Sequence, residues 1–212
     1  MLLAFDTATP FVSVALHDGS DTVAEYVSEL RMKHGEQLAP LVDRALREQG
    51  LARQDLTAIA VGVGPGPFTG LRVGLVTART LGWVLEIPVY GVCSLDVLAV
   101  EAVGAGEVTG DFVVATDARR KELYLASYDA DGRRLDGPVV DKPAVLASEL
   151  PAVGEGALLY SEHFPHPVGP ERPSAGWLAR AVAEELVELR DPEPLYLRRP
   201  DAVAPGPRKP AS

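Results

Sequence analysis

Residues 58–74 read Ala-Ile-Ala-Val-Gly-Val-Gly-Pro-Gly-Pro-Phe-Thr-Gly-Leu-Arg-Val-Gly. Ala58 to Val61 is an apolar run of the buried-strand kind, and Gly62 to Gly70 is a glycine- and proline-rich loop. A helix follows from Leu71 to Glu86, where Ile87-Pro88 stops it. Strand, glycine loop and helix in this order are the unit of an α/β fold. Upstream, Leu2 to Phe5 ends at Asp6, Phe11 to Leu16 forms a second extended run, and the Asp18-Gly19 turn leads to a third at Thr22 to Val27. Leu38, Leu41, Val42, Ala45 and Leu46 then fall at helical spacing, and Gly50 closes that helix, which runs from Glu36 to Gln49. Downstream, Val89 to Val92 is a strand and Ser94 caps a short helix through Glu101. The first half is therefore β-β-β-α-β-α with a further strand and helix.

Gly104 to Gly110 is polar and glycine-rich and separates two lobes, at 1–103 and 110–200. After it the opening pattern returns: Phe112 to Thr116 ends at Asp117, and Leu123 to Tyr128 precedes the Asp131-Gly132 turn. Asp6 and Asp117 stand half a chain apart, as an internal duplication would place them. The second half is less regular. Ala144 to Leu150 reads as a short helix, Ala157 to Tyr160 as a strand, and Ser174 as the cap of a helix whose apolar face continues to Leu189. Residues 201–212, rich in proline, read as a disordered tail.

The 212 residues carry 20 Lys and Arg against 30 Asp and Glu, a net charge of −10, so a polyphosphate backbone repels the chain as a whole. Any tRNA or DNA role is expected to be indirect, or to use a local basic patch. The single cysteine, Cys93, excludes an intrachain disulfide and gives no metal spacing. No basic leader is visible, and the longest apolar stretch, Leu71 to Leu98, is broken by Arg72, Arg79 and Glu86. A cytoplasmic protein without membrane contact is expected.

Two segments have the chemistry of a nucleotide site. Asp6 and Thr7 end the first strand, where α/β sheets place their binding crevice. Gly64 and Gly66 lie in a loop that opens a helix, a place that favours an anion. No Lys-Ser or Lys-Thr follows, and Pro65 and Pro67 each remove an N–H donor. From its residues the loop reads more as a rigid turn with Thr69 as N-cap than as an anion site, and any ATP or ADP affinity is expected to be weak or degenerate. His34 and Glu36 read as a solvated helix start or a ligand pair, and Arg119-Arg120-Lys121 as a solvated turn or a contact for an acidic partner or RNA. His163 and His166 lack a third ligand.

Leu3 to Thr9, Gly64 to Gly74, Gly91-Val92-Cys93-Ser94-Leu95, Asp117 to Tyr124 and Pro194-Leu195-Tyr196-Leu197-Arg198 occur in this order. The pattern over residues 1–203 resembles the bacterial TsaB (YeaZ) family, which normally has Ser where this chain has Pro67. The resemblance implies an α/β fold of the duplicated actin-like ATPase type (ASKHA, ribonuclease H-like), with two lobes. It also implies membership of the machinery that adds threonylcarbamoyl to N6 of the adenosine next to the anticodon in tRNAs reading ANN codons. In that machinery TsaD holds a metal through a His-x-x-x-His helix. The corresponding positions here are Ser94 and Leu98, neither a substitute for imidazole. The implied role is a non-catalytic dimerisation platform for TsaD, with TsaE as further partner, a homodimer when alone, and no required cofactor. The expected partner surface lies on two helices: Leu38, Leu41, Val42 and Ala45 on the first, and Leu71, Arg72, Val76 and Trp83 on the second. A helix apolar on two sides is either wholly buried or covers a partner, and the resemblance favours the partner. The alternative is a freestanding actin-fold ATPase or small-molecule kinase using Asp6 and the Gly64–Gly70 loop.

Overall fold

The computed structural model describes residues 1–198; the tail expected at 201–212 lies outside the described residues. The first half contains β1 (Leu2–Asp6), β2 (Ser13–His17), β3 (Thr22–Val27), α1 (His34–Glu48), β4 (Ala58–Gly64), α2 (Phe68–Leu85), β5 (Val89–Cys93) and α3 (Ser94–Gly104). The second contains β6 (Phe112–Asp117), β7 (Leu123–Tyr128), β8 (Arg134–Asp141), β9 (Ala152–Val153), α4 (Glu155–Leu159), β10 (Pro167–Val168) and α5 (Ala175–Ala183).

The first sheet has the order β3-β2-β1-β4-β5, with β1 antiparallel to β2 and parallel to β4. The second has the order β10-β9-β6-β7-β8, with β6 antiparallel to β7 and parallel to β9. Read from its β8 edge, the second order repeats the first with β6 in the place of β1. This is the duplicated, two-lobed actin-like arrangement. The turn chemistry of the first hairpin is local. The Asp18 carboxylate accepts the N–H groups of Ser20 and Asp21 at 2.8 and 2.9 Å, and Gly19 takes φ +109°, which few other residues adopt.

Side chains alternate across β1, β2 and β4 with period two. Leu3, Phe5, Val14, Leu16, Ile59 and Val61 point to one face, where Leu38, Val42 and Leu46 of α1 and Leu71 and Leu75 of α2 cover them. Ala4, Ala15 and Ala60 point to the other, and these small residues let Ala175, Leu178 and Ala179 of α5 come close. α3 packs Leu95, Leu98 and Ala102 on Phe112, Val114 and Tyr128 of the second sheet. The last helix of each half thus serves the other half's sheet, and α3 and α5 form a shared middle layer. α3 is buried on nearly every side, which explains its all-round apolar sequence. Its buried Asp96 accepts the Tyr128 hydroxyl at 2.8 Å and lies 3.5 Å from the Arg134 guanidinium.

The second half departs from the sequence reading. Residues 144–150 form turns rather than a helix, and Ala157 to Leu159 belong to α4 rather than to a strand. α5 stops at Ala183, and Glu184-Glu185 interrupt the stripe, leaving Leu186 and Leu189 exposed. Ser174 does cap α5, its hydroxyl accepting the Trp177 N–H at 3.1 Å.

Candidate functional site

β1 delivers Asp6 to the end of the first sheet, beside β4 and the start of α3. Asp6 is 2% exposed. The Ser94 hydroxyl donates to its Oδ2 at 2.6 Å, and the Ala8 N–H donates to Oδ1 at 2.6 Å. Burial pushes the carboxyl above its ordinary range, opposed by these two hydrogen bonds. The glycine loop leaves this arrangement no slack. A Cβ on Gly62 would lie 1.8 Å from Asp6 Oδ2, and one on Gly66 would lie 2.5 Å from the Ala8 carbonyl oxygen. Gly64, at φ +97°, faces Leu71 rather than open space. Thr7 is fully buried and donates its hydroxyl to the Gly70 carbonyl at 2.9 Å, tying β1 to the first turn of α2. The expected nucleotide residues Asp6, Thr7, Gly64 and Gly66 are therefore brought together, packed on one another.

Beyond them lies the cleft between the lobes, lined by Thr9, Pro65, Ser94, Thr116, Asp117 and Glu155 among others. The pocket there has a free volume of about 10 Å³, room for about one water. Across it Asp117 repeats the turn of Asp6: its Oδ1 accepts the N–H two residues on, from Arg119, at 2.8 Å. Its side chain is 17% exposed and pairs with the Arg119 guanidinium at 3.2 Å. Leu98, one turn beyond Ser94, is fully buried in the second lobe's core. Cys93, also buried, has its thiol pushed up to about 12 by desolvation. Among the described residues no three His, Cys, Asp or Glu side chains gather to hold a metal ion.

The other candidate is the face of α2 turned away from the sheet. Val76 and Val84 are each 62% exposed and Trp83 is 83% exposed. Phe68, Arg72, Val76 and Trp83 run along one side of the helix for about 22 Å at 1.5 Å per residue, and Val84 lies about 100° further round. The Arg72 guanidinium lies 3.8 Å from the centre of the Phe68 ring, and Tyr196 stacks on the same ring at 5.3 Å.

Residues 26–202 match the family model of the tRNA N6-adenosine threonylcarbamoyltransferase TsaD. An uncharacterised protein of Mycobacterium tuberculosis is 45% identical over 206 residues, covering 95% of this chain and 93% of that one. The tRNA threonylcarbamoyladenosine biosynthesis protein TsaB of Bacillus subtilis is 34% identical over 73% of this chain and 66% of its own length. The solved structure of YeaZ from Pseudomonas aeruginosa superposes with a TM-score of 0.77 and 31% identity, covering 92% of this chain and 99% of that one. The chain belongs to the TsaB (YeaZ) family.

In this TsaB-family chain the surface expected on α1 is corrected. Leu38, Val42 and Ala45 are buried, because the apolar stripe of α1 faces the first sheet, and Leu41 is half-buried against the same core. Leu71 is likewise fully buried, one turn below the exposed Phe68. Of the eight residues expected at a partner surface, Arg72, Val76 and Trp83 are exposed. Reading the sequence also missed His34. It is buried rather than solvated, and its Nε2–H donates to the Thr9 carbonyl at 2.7 Å, closing the β1–β2 loop onto α1. Glu36, beside it, pairs with Lys33 at the surface. The residues after α5 were also missed as a structural element. Arg190 and Gly91 exchange backbone hydrogen bonds, each 2.8 Å, and the Leu195 N–H donates to the Val63 carbonyl at 2.9 Å. The requirement for glycine at 91, where a Cβ would lie 2.7 Å from the Asp191 oxygen, is the local signal of this strap. Among the described residues no helix is long and apolar enough to cross a membrane.

Proposed function

We propose that this chain acts in tRNA threonylcarbamoyladenosine biosynthesis as a non-catalytic platform on which TsaD assembles. Its own copy is the partner in a homodimer when TsaD is absent, and TsaE joins the assembly. The group transferred is threonylcarbamoyl, and the acceptor is N6 of the adenosine next to the anticodon in tRNAs reading ANN codons. tRNA is met through the complex, in keeping with the net charge of −10. The cytoplasm, where tRNA is modified, is the proposed location.

The observation that carries this reading is the α2 face. A tryptophan 83% exposed on the helix side that also carries Val76 and Phe68 costs solubility unless another surface covers it. The packing around Asp6 supports the non-catalytic part. Ser94 and Ala8 each donate to one oxygen of the Asp6 carboxylate, and the pocket beside it has a free volume of about 10 Å³. No cofactor is required on this reading, and ATP or ADP binds weakly, with Kd of about 0.1 mM or worse, roughly −5.5 kcal/mol.

Val76→Glu and Trp83→Asp test it. Each places a charge on an exposed face, so circular dichroism should show folded protein, while light scattering should show loss of the homodimer and TsaD should no longer co-elute. Dimers and TsaD complexes that persist in both variants would refute the platform. Incubated alone with tRNA, threonine, bicarbonate, ATP and the adenylate-forming enzyme, the chain should give no modified base.

A further inference from the structure

We infer that the strap at residues 190–198 is one end of the α2 docking face and carries occupancy of that face to the second lobe. The inference rests on the α2 reading above and adds a second element and a coupling to it. Tyr196 stacks on Phe68, the first residue of α2, and both rings remain partly open to solvent. A partner lying along α2 from Trp83 to Phe68 meets Tyr196 next. From Phe68 to Leu85 the helix carries Arg72 and Arg79 and no acid, in a chain whose net charge is −10. The matching surface is therefore apolar with carboxylates, and in the proposed assembly it belongs to TsaD.

The strap is anchored on both sides of Tyr196. Leu195 packs against the cores of both lobes, and its N–H is held by Val63. Arg198 donates to the Arg119 carbonyl at 3.4 Å and pairs with Glu122. Both acceptors lie in the β6–β7 turn, where Arg119, Arg120 and Lys121 take φ of 63°, 57° and 61° in succession. Left-handed backbone is unfavourable for a non-glycine residue, so three in a row persist only where surrounding contacts hold them. Asp117 holds one side of the turn through Arg119, and Arg198 holds the other. Arg119 also reaches Met32 Sδ of the first lobe at 3.5 Å. Movement of Tyr196 against Phe68 is two residues from Arg198 and is passed to a turn already under strain.

The experiment uses the full chain with purified TsaD. Affinity is measured for Tyr196→Ala, Tyr196→Leu, Arg198→Ala and Trp83→Asp, beside hydrogen exchange of the 118–122 amides. Tyr196→Ala should bind about tenfold more weakly, with Tyr196→Leu between it and the parent. TsaD should change exchange at 118–122 several-fold in the parent, and Arg198→Ala should keep binding within about threefold while losing that change. Parent-like binding by both Tyr196 variants, with binding lost in Trp83→Asp, removes the strap from the face and leaves the α2 reading standing. Exchange at 118–122 indifferent to TsaD in the parent overturns the coupling. Parent-like binding in Trp83→Asp as well overturns the α2 reading itself.

Discussion

The two halves of the chain share one strand order but not one covering. The first sheet is covered by α1 and α2, of 15 and 18 residues. The second has a turn at 142–150 and α4, of five residues, in the corresponding connections. The strands differ to match: β4 runs seven residues, to Gly64 beside the end of β1, whereas β9 has two and stops at Val153, paired with Val114 and short of Asp117. The strand ladder is the part a duplication keeps, because every backbone group in it must find a partner. Helices can be shortened where other residues cover the apolar face: here Ala157 of α4, Phe164 and Leu146 cover Val113, Ala115 and Leu123, while α3 packs on the opposite face of the second sheet. The first half is the one covered by long helices, and among the described residues it alone presents a long helix face to solvent.

The largest expected contrast lies in those coverings. Leu38 of α1 is buried under the first sheet, and Leu38→Glu removes its burial and puts a charge among Phe5, Leu16 and Ile59. The loss should be about 4–5 kcal/mol, enough to unfold a domain of ordinary stability. Leu146, half-buried against the second lobe's core, should lose about 1–2 kcal/mol on the same change because the glutamate can swing to water. Urea unfolding of the two variants measures both values, and equal losses would mean that the short covering is as tightly packed as the helical one.

Next come the paired aspartates. Asp6→Ala leaves the Ala8 N–H and the Ser94 hydroxyl without an acceptor in a buried place, a loss of about 3 kcal/mol. Asp117→Ala frees one N–H next to solvent and ends a partly exposed ion pair, a loss of about 1 kcal/mol. Thermal unfolding separates these as Tm shifts of roughly 10 °C and 3 °C, at 2–4 °C per kcal/mol. A reversed order would mean that the Asp6 pocket stores strain which its hydrogen bonds do not repay.

These pairs also show what the sequence made legible. Asp6, Asp117, the Asp18-Gly19 turn and the strand-loop-helix from Ala58 are read locally, since each depends on residues within a few positions. The burial of Leu38, Val42 and Ala45 was not, because an amphipathic stripe has the same spacing whether it meets its own sheet or a partner. α2 and α3 make the point together. Both are apolar on more than one side, yet α3 lies between two sheets and α2 has one side open. β8 and β9 escaped because an exposed edge strand containing Gly137-Pro138 and a strand of two residues carry no periodic signal. The sequence marks Ser94 as a helix start without imidazole, but its bond to Asp6 spans 88 residues and has no sequence signature.

A smaller effect is set where α3 meets α5. Glu101 Oε2 is buried without a hydrogen-bond partner, and Glu25 of β3 lies close enough to repel its charge. Burial first, then Glu25, raises the Glu101 carboxyl from 4.5 to about 7, against the Ser174 N–H that lowers it. The unfolded chain therefore gives up this proton before the folded one does, and stability falls as pH rises from about 4.5 to about 7 and then levels. Glu101→Gln should be more stable than the parent by about 1–2 kcal/mol at pH 8, after allowance for partial exposure, and nearly equal to it at pH 4. An unchanged difference between pH 4 and pH 8 would show that the site is wetter than its burial implies.

The smallest effect concerns apolar surface in the second half. Leu158 and Leu159 of α4 are 50% and 57% exposed, only a little less than Val76 on α2. They stand on a helix of five residues, which offers little more than one turn and no continuous stripe. Isolated apolar residues of this kind are normal on protein surfaces, whereas a continuous patch marks an interface. Leu159→Ser should therefore shift stability by no more than about 0.5 kcal/mol and leave both the homodimer and TsaD binding at parental strength. Light scattering and TsaD titration, run beside Val76→Glu, decide the matter. Dissociation by Leu159→Ser would move the association surface to the second lobe and show that exposure alone, rather than a helix long enough to carry a stripe, determines where this chain meets its partner.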